Sequence, residues 1–187
     1  MEEKQYKWMV CTRCVTFNQA PYIVDAMNGF TMQQTTFPFV CTIVDDASTD
    51  GEPEVIRQYL QEHFDLDDKS VVRNEETDDY VLCYARHKEN RNCHFAVLWL
   101  KYNHYSRHKL IFPYEAEWKE NSKYYALCEG DDYWTSPKSC SSKFCFLSSM
   151  TIMSCRTRKL RFAAATTLSV SGNSRHATSS RLSVSME

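Results

Sequence analysis

Residues 37–64, FPFVCTIVDDASTDGEPEVIRQYLQEHF, carry the decision about the fold. They open with a short continuous apolar run, 37–46, as expected for a strand buried on both faces of a parallel sheet. They close with Val55, Ile56, Tyr59 and Leu60, spaced to share one helix face, behind Ser, Thr and Asp cap candidates at 47–50. Asp45 and Asp46 stand at the join. A strand that runs through a polar turn into a helix is half of a β-α-β unit.

The neighbouring stretches repeat that unit. Residues 7–17, KWMVCTRCVTF, read as an apolar, β-rich strand that breaks at Asn18. In 20–34, Tyr22, Ile23, Ala26, Met27 and Phe30 fall at helical spacing with Pro21 in the first turn. Residues 69–74 suggest a third strand, 113–122 a helix, and 124–128 (YYALC) another buried strand. Residues 75–108 are polar, poorly periodic and unassigned. This order predicts an α/β domain with a doubly wound, mostly parallel sheet. Such sheets bind ligands at the carboxyl ends of their strands. Three strands here end in polar signatures: TFNQ (16–19), VDDASTDG (44–51) and CEGDDYW (128–134). All three are expected on one rim.

Composition narrows the function. The 187 residues carry a formal net charge of −2, but residues 138–187 hold eight Lys or Arg against one acidic residue. The tail is thus about +7 and residues 1–137 about −9, from the −2 total. An acidic front segment is not a general nucleic-acid binder; it suits a protein holding a cation between carboxylates. No apolar run reaches the length of a membrane span and the first residues, MEEKQYKWMV, do not resemble a signal peptide. A cytoplasmic location is expected, with at most peripheral association at the inner face of the membrane. Among nine cysteines, Cys11 and Cys14 form a C-x2-C, but three residues apart on a strand they point to opposite faces. Buried thiols are expected there rather than zinc.

Glu129, Asp131 and Asp132 crowd three carboxylates around Gly130. Such crowding raises pKa values unless a cation neutralises it, and oxygen ligands alone suit Mg2+ or Mn2+. Gly130 would let the backbone approach a ligand. Tyr133 and Trp134 would wall the charge off from water. The ordinary alternative is a solvated acidic turn. For Asp45–Gly51 the ordinary alternative is a helix N-cap with an acidic first turn. A haloacid-dehalogenase-type phosphatase would need D-x-D, which Asp46-Ala47-Ser48 does not supply.

The segments TFNQAPYIVDAMNGFTMQQTTFPFVCTIVDDASTDG and KYYALCEGDDYWTSPK together resemble family 2 glycosyltransferases of the bacterial "EGDDYW" type. The resemblance implies a GT-A fold and transfer of a sugar from a nucleotide-diphosphate sugar to a polysaccharide, glycolipid or other saccharide or lipid-linked acceptor. It implies that Thr16 and Asn18 line the nucleoside pocket and that Asp46, with Asp45, bonds the base or ribose. Asp131 would be the main contact of a Mn2+ or Mg2+ cofactor and reach the nucleotide through it, with Glu129 and Asp132 beside it. Glu129 stands where the family's DxD motif begins with Asp. Glu89-Asn90 resembles an "EN" pair of the subgroup. The metal would support the departing diphosphate as a Lewis acid.

After Lys138 the composition turns to Ser, Arg and Thr. Spelled AAG AGC TGC AGC AGC AAG and read from the third base, Lys138–Lys143 gives E-L-Q-Q-Q, similar to the family's continuation. This suggests a one-base frameshift near Lys138, leaving an incomplete nucleotide-sugar-binding region at 1–138 and an unselected, disordered tail at 139–187. A genuine basic tail for anionic membrane or nucleic acid is the competing view. Because the acceptor half and its catalytic base would lie beyond the shift, the chain is expected to be inactive or impaired in transfer. A nucleotide-binding module without transfer and a non-functional truncated product are the other classes.

Overall fold

The computed structural model of the protein describes residues 4–142 and 156–157. Strand β1 (Trp8–Thr16) leads into helix α1 (Ile23–Thr31), strand β2 (Phe39–Asp45) and helix α2 (Glu52–His63). Strands β3 (Arg73–Glu76), β4 (Tyr80–Arg86) and β5 (Cys93–Leu100) follow, then helix α3 (Phe112–Glu120) and strand β6 (Ser122–Leu127). The six form one sheet in the order β3-β4-β5-β2-β1-β6. Its centre, β5-β2-β1-β6, is parallel, while β3 and β4 add antiparallel pairs at one side. The expected mostly parallel α/β sheet is the one observed.

Helices cover both faces because each side of the sheet is apolar. Ile23, Ala26, Met27 and Phe30 of α1 and Ile56 and Leu60 of α2 pack on one face against Cys14, Ile43, Phe95 and Val97. Trp118 of α3 packs on the other against Trp8, Cys11, Val44 and Leu98. Cys11 and Cys14 therefore lie in opposite layers, as their spacing requires.

Two strands escaped the sequence reading. Strand β5, CHFAVLWL, is buried throughout, and β4 alternates less regularly, with Leu82 and Ala85 inside. Both lie in the unassigned 75–108. The strand expected at 69–74 is displaced: Val71 and Val72 belong to a turn, and β3 is the charged edge segment RNEE. A charged edge discourages pairing with other chains. Trp134 is also corrected. It walls no charge but is buried beneath α1, edge-on to Phe30 at 5.2 Å, and Gly29 makes room for its backbone. Beyond it, strand β7 (Asp132–Tyr133) pairs with β8 (Arg156–Thr157), and helix α4 (Ser139–Ser142) places Cys140 in the core. Apart from these short pieces, the expectation for 139–187 falls outside the described residues.

Candidate functional site

Parallel register brings the three polar strand ends together. Thr16 of β1 is level with Asp45 of β2, and Arg13 of β1 with Leu127 of β6. The loops after β1, β2, β5 and β6 surround one cleft of about 780 Å³. Its walls include Arg13, Thr16, Phe17, Asp46, Tyr105 and Asp131. Asp46 and Asp131, 85 residues apart in the chain, thus face one space.

The loops after β1 and β2 are bonded to each other through side chains. Asn18 N donates to Ser48 Oγ at 2.9 Å and Thr49 N to Asn18 Oδ1 at 2.8 Å. Ala20 N donates to Asp50 Oδ2 at 2.9 Å. The hub is Glu52, fully buried at the start of α2, which accepts from Gln19 N (2.8 Å), Ser48 Oγ (2.9 Å) and the Thr16 hydroxyl. The path is tight enough that Asn18 and Ala47 take positive φ, 54° and 61°. Gly51 caps α2 at φ 90°. Asn18 is thus bonded to the neighbouring loop rather than to open space.

Asp45 and Asp46 differ. Asp45 is buried and accepts from Ser48 N at 3.0 Å; burial pushes its carboxyl up to about 6, against the lowering effect of the Ser48 bonds. Asp46 is equally enclosed, but it reaches the loop after β5. Its two oxygens accept from His104 N (2.6 Å) and Tyr105 N (3.0 Å). A carboxylate has about four lone-pair sites, so acceptor capacity remains on the cleft side.

On the β6 side, Glu129 and Asp131 line the cleft and Asp132 does not; it is buried in β7. Glu129 Oε2 accepts from Val15 N at 3.2 Å, and Oε1 lies 3.7 Å from Arg13 Nη1. Arg13 also donates through Nε to Glu115 Oε2 of α3 at 2.8 Å, and Glu115 is fully buried. Burial raises the Glu115 and Glu129 carboxyls, and the Arg13 guanidinium opposes both shifts. The three expected metal carboxylates are therefore not gathered into one group. Among the described residues no three His, Cys, Asp or Glu side chains form a metal cluster. Gly130 is needed for a different approach than expected: an added Cβ would collide with Thr16 and Gln19, so it serves packing against the end of β1.

Glu89-Asn90 lies elsewhere, on the loop leading into β5 at the opposite end of the sheet. Asn90 Nδ2 donates to the Thr31 and Gln33 carbonyls at 2.9 and 2.8 Å, closing the end of α1. Arg13, Glu52, Asn103, Tyr105, Ser106 and Glu115 were not foreseen, and Gln19 only as part of the polar end of β1. Arg13 alone left a signal, a lone charge inside an apolar strand.

Residues 14–97 match glycosyl transferase family 2, the family the sequence resembles. Proteins of Mycobacterium tuberculosis and Mycobacterium bovis, named only as uncharacterized, are 29% identical over 133 residues, 71% of this chain and 30% of theirs. The chain thus spans under a third of the length of these curated relatives. Among solved structures, the mannosyltransferase PcManGT of Pyrobaculum calidifontis, in complex with GDP-Man and Mn2+, is similar with a TM-score of 0.47 and 16% identity. That match covers 77% of this chain and 33% of the other. TarS 1–349 of S. aureus, in complex with UDP-GlcNAc, gives a TM-score of 0.45 and 18% identity over 73% of this chain and 30% of the other. No helix among the described residues is long and apolar enough to cross a membrane.

Proposed function

We propose that residues 1–138 are the donor-binding region of a glycosyltransferase, taking a sugar linked to a nucleoside diphosphate. The acceptor is a saccharide or lipid-linked saccharide of polysaccharide assembly, and the sugar a hexose. The observation that carries this is the shared cleft of Asp46 and Asp131, walled by loops from parallel strands. Thr16 and Phe17 line the nucleoside side, with Asn18 and Asp45 holding the loops around it.

A divalent cation fits if the substrate completes its coordination. Mg2+ is usually held by one or two carboxylates together with phosphate oxygens and water. Asp131, beside the cleft, would hold it with the pyrophosphate, and Glu129 would neighbour it while bonded to Arg13 and Val15. When bound, the ion supplies Lewis-acid support for the leaving diphosphate. The chain's own part is to orient the nucleotide through the β1 and β2 loops and to keep the carboxylates spaced by Arg13. On this reading the protein works in the cytoplasm, with at most peripheral association at the inner face of the membrane.

Calorimetric titration of UDP and GDP, with and without Mn2+, tests this. Binding strengthened by Mn2+ is expected, and Asp131→Ala should abolish the strengthening with less than about 0.5 kcal/mol change in stability. Metal-independent binding unaffected by Asp131→Ala would remove the ion from the site. Incubation with a sugar nucleotide and analysis of released UDP or GDP separates a transferase from a binding module.

A further inference from the structure

Arg13 is a charge set inside an apolar strand, and helix α3 fixes it there. Of the nine residues of α3, only Glu115 and Trp118 are buried. One of those two places thus goes to a carboxylate, where an apolar residue would pack at less cost. Glu115 accepts from Arg13 Nε at 2.8 Å, and the rest of the guanidinium borders the cleft. There Nη1 lies 3.7 Å from Glu129 Oε1, while Glu129 Oε2 accepts from Val15 N at 3.2 Å. Both oxygens of Glu129 are therefore engaged by β1. Asp131, two residues further on, lines the same cleft.

We propose that Arg13 is a built-in cation, positioned by Glu115, that withholds Glu129 from metal coordination, so that the chain takes up a divalent ion only together with the donor's diphosphate. This deepens the donor-binding reading above and rests on it. Two neighbouring carboxylates attract a divalent ion by themselves. A guanidinium beside one of them cancels a unit of that attraction and occupies its oxygen. Asp131 alone then offers too few ligands, and phosphate oxygens and water must supply the rest. The planar fork of an arginine suits this task, because Nε serves Glu115 while Nη1 faces Glu129. Arg13 acts through Glu129 and need touch neither nucleotide nor sugar.

The test reads the binding of Mn2+ by the whole chain, from the electron paramagnetic resonance signal of the free aqueous ion. Wild-type protein should bind Mn2+ weakly without nucleotide and at least about 10-fold more tightly with saturating UDP or GDP. Arg13→Met with Glu115→Leu removes the cation together with the carboxylate that it would leave stranded. This variant should bind Mn2+ alone about 10-fold more tightly than wild type, which shrinks the further gain from nucleotide. Adding Glu129→Gln should return Mn2+ alone to the wild-type weakness. If the apolar pair does not fold by circular dichroism, Arg13→Gln with Glu115→Gln replaces it. No gain in the double variant, or a gain that survives Glu129→Gln, would overturn the proposal. So would wild-type protein that binds Mn2+ as tightly alone as with nucleotide. Failure of the wild-type protein to bind either nucleotide would instead overturn the donor-binding reading, and this proposal with it.

Discussion

The two ends of the sheet are built from different materials. Around β5 the amino end is closed by rings and amides: His94 lies 4.6 Å from Trp8 and stacks on Tyr84, while Asn90 and Asn92 bond the carbonyls of Thr31, Gln33 and Thr35, and its carboxylates, Asp65 and Asp68, are partly exposed and paired with Arg86 and Arg91. Burial drives His94 down to about 4, so it stays neutral at physiological pH. The carboxyl end instead concentrates Asp45, Asp46, Glu52, Glu115 and Glu129 in partly or fully buried positions. Backbone N–H groups, hydroxyls and Arg13 hold them. Holding so many carboxylates out of water costs stability, whereas Asp65 and Asp68 at the amino end stay partly exposed and paired with arginines. The difference is what the proposed donor site at the carboxyl end would require.

The largest effect should come from breaking the charge pair that keeps this end together. Arg13→Met leaves Glu115 buried without its cation and should cost about 3–5 kcal/mol in urea unfolding. Adding Glu115→Leu should recover most of that loss. A loss below about 1 kcal/mol for the single variant would mean the pair is in effect solvated.

Acid sharpens the contrast because the two ends respond with opposite sign. Asp45 has a folded value of about 6 above an ordinary 3.8, so the folded state binds more protons in that window and its stability falls as pH rises through it. His94 has a folded value of about 4 below an ordinary 6.5, so the unfolded state binds more protons and stability rises with pH across that window. Each shift amounts to roughly 3 kcal/mol and they largely cancel between pH 4 and 6. Unfolding measured from pH 4 to 8 should reveal each alone. Asp45→Asn should gain stability near pH 7 and little at pH 4, leaving the rise with pH due to His94, whereas His94→Phe should leave Asp45 alone, so that stability falls as pH rises from 4 to 6. Parallel pH curves for both variants would refute the assignment.

A smaller effect is expected at Ala47, whose φ of 61° is unfavourable for a residue with a Cβ. Ala47→Gly should stabilise the protein by about 0.5–1 kcal/mol in thermal unfolding, and a destabilisation would show that the loop tolerates the strain.

The sequence made the carboxyl end legible in outline and the amino end hardly at all. Strands β1, β2 and β6 and helices α1 and α2 were found because each joins an apolar run or period to a polar stop, whereas α3, expected at 113–122, has no apolar face of that kind and buries only Glu115 and Trp118. Strand β5 was lost although Phe95–Leu100 is apolar, since His94, Asn90 and Asn92 precede it and suggest a loop. The Asn90 and Asn92 side chains are satisfied by carbonyls nearly sixty residues earlier, which no local pattern records. The same limit hid Glu52 and Glu115. Each looked like an ordinary helical glutamate, and only the fold brings Thr16 to one and Arg13 to the other. The Asp46–Asp131 convergence was legible because both residues sit at strand ends, where topology alone fixes the neighbourhood.

The most direct test places a paramagnetic ion in the site. With a nucleoside diphosphate present, sub-stoichiometric Mn2+ should broaden the NMR amide signals of Gly130 and Asp131 first and those of Phe17, Asn18 and Tyr105 next, while residues 90–94 stay sharp. Broadening at 90–94, or none at Asp131, would contradict a cation and pyrophosphate held between the loops at the carboxyl end.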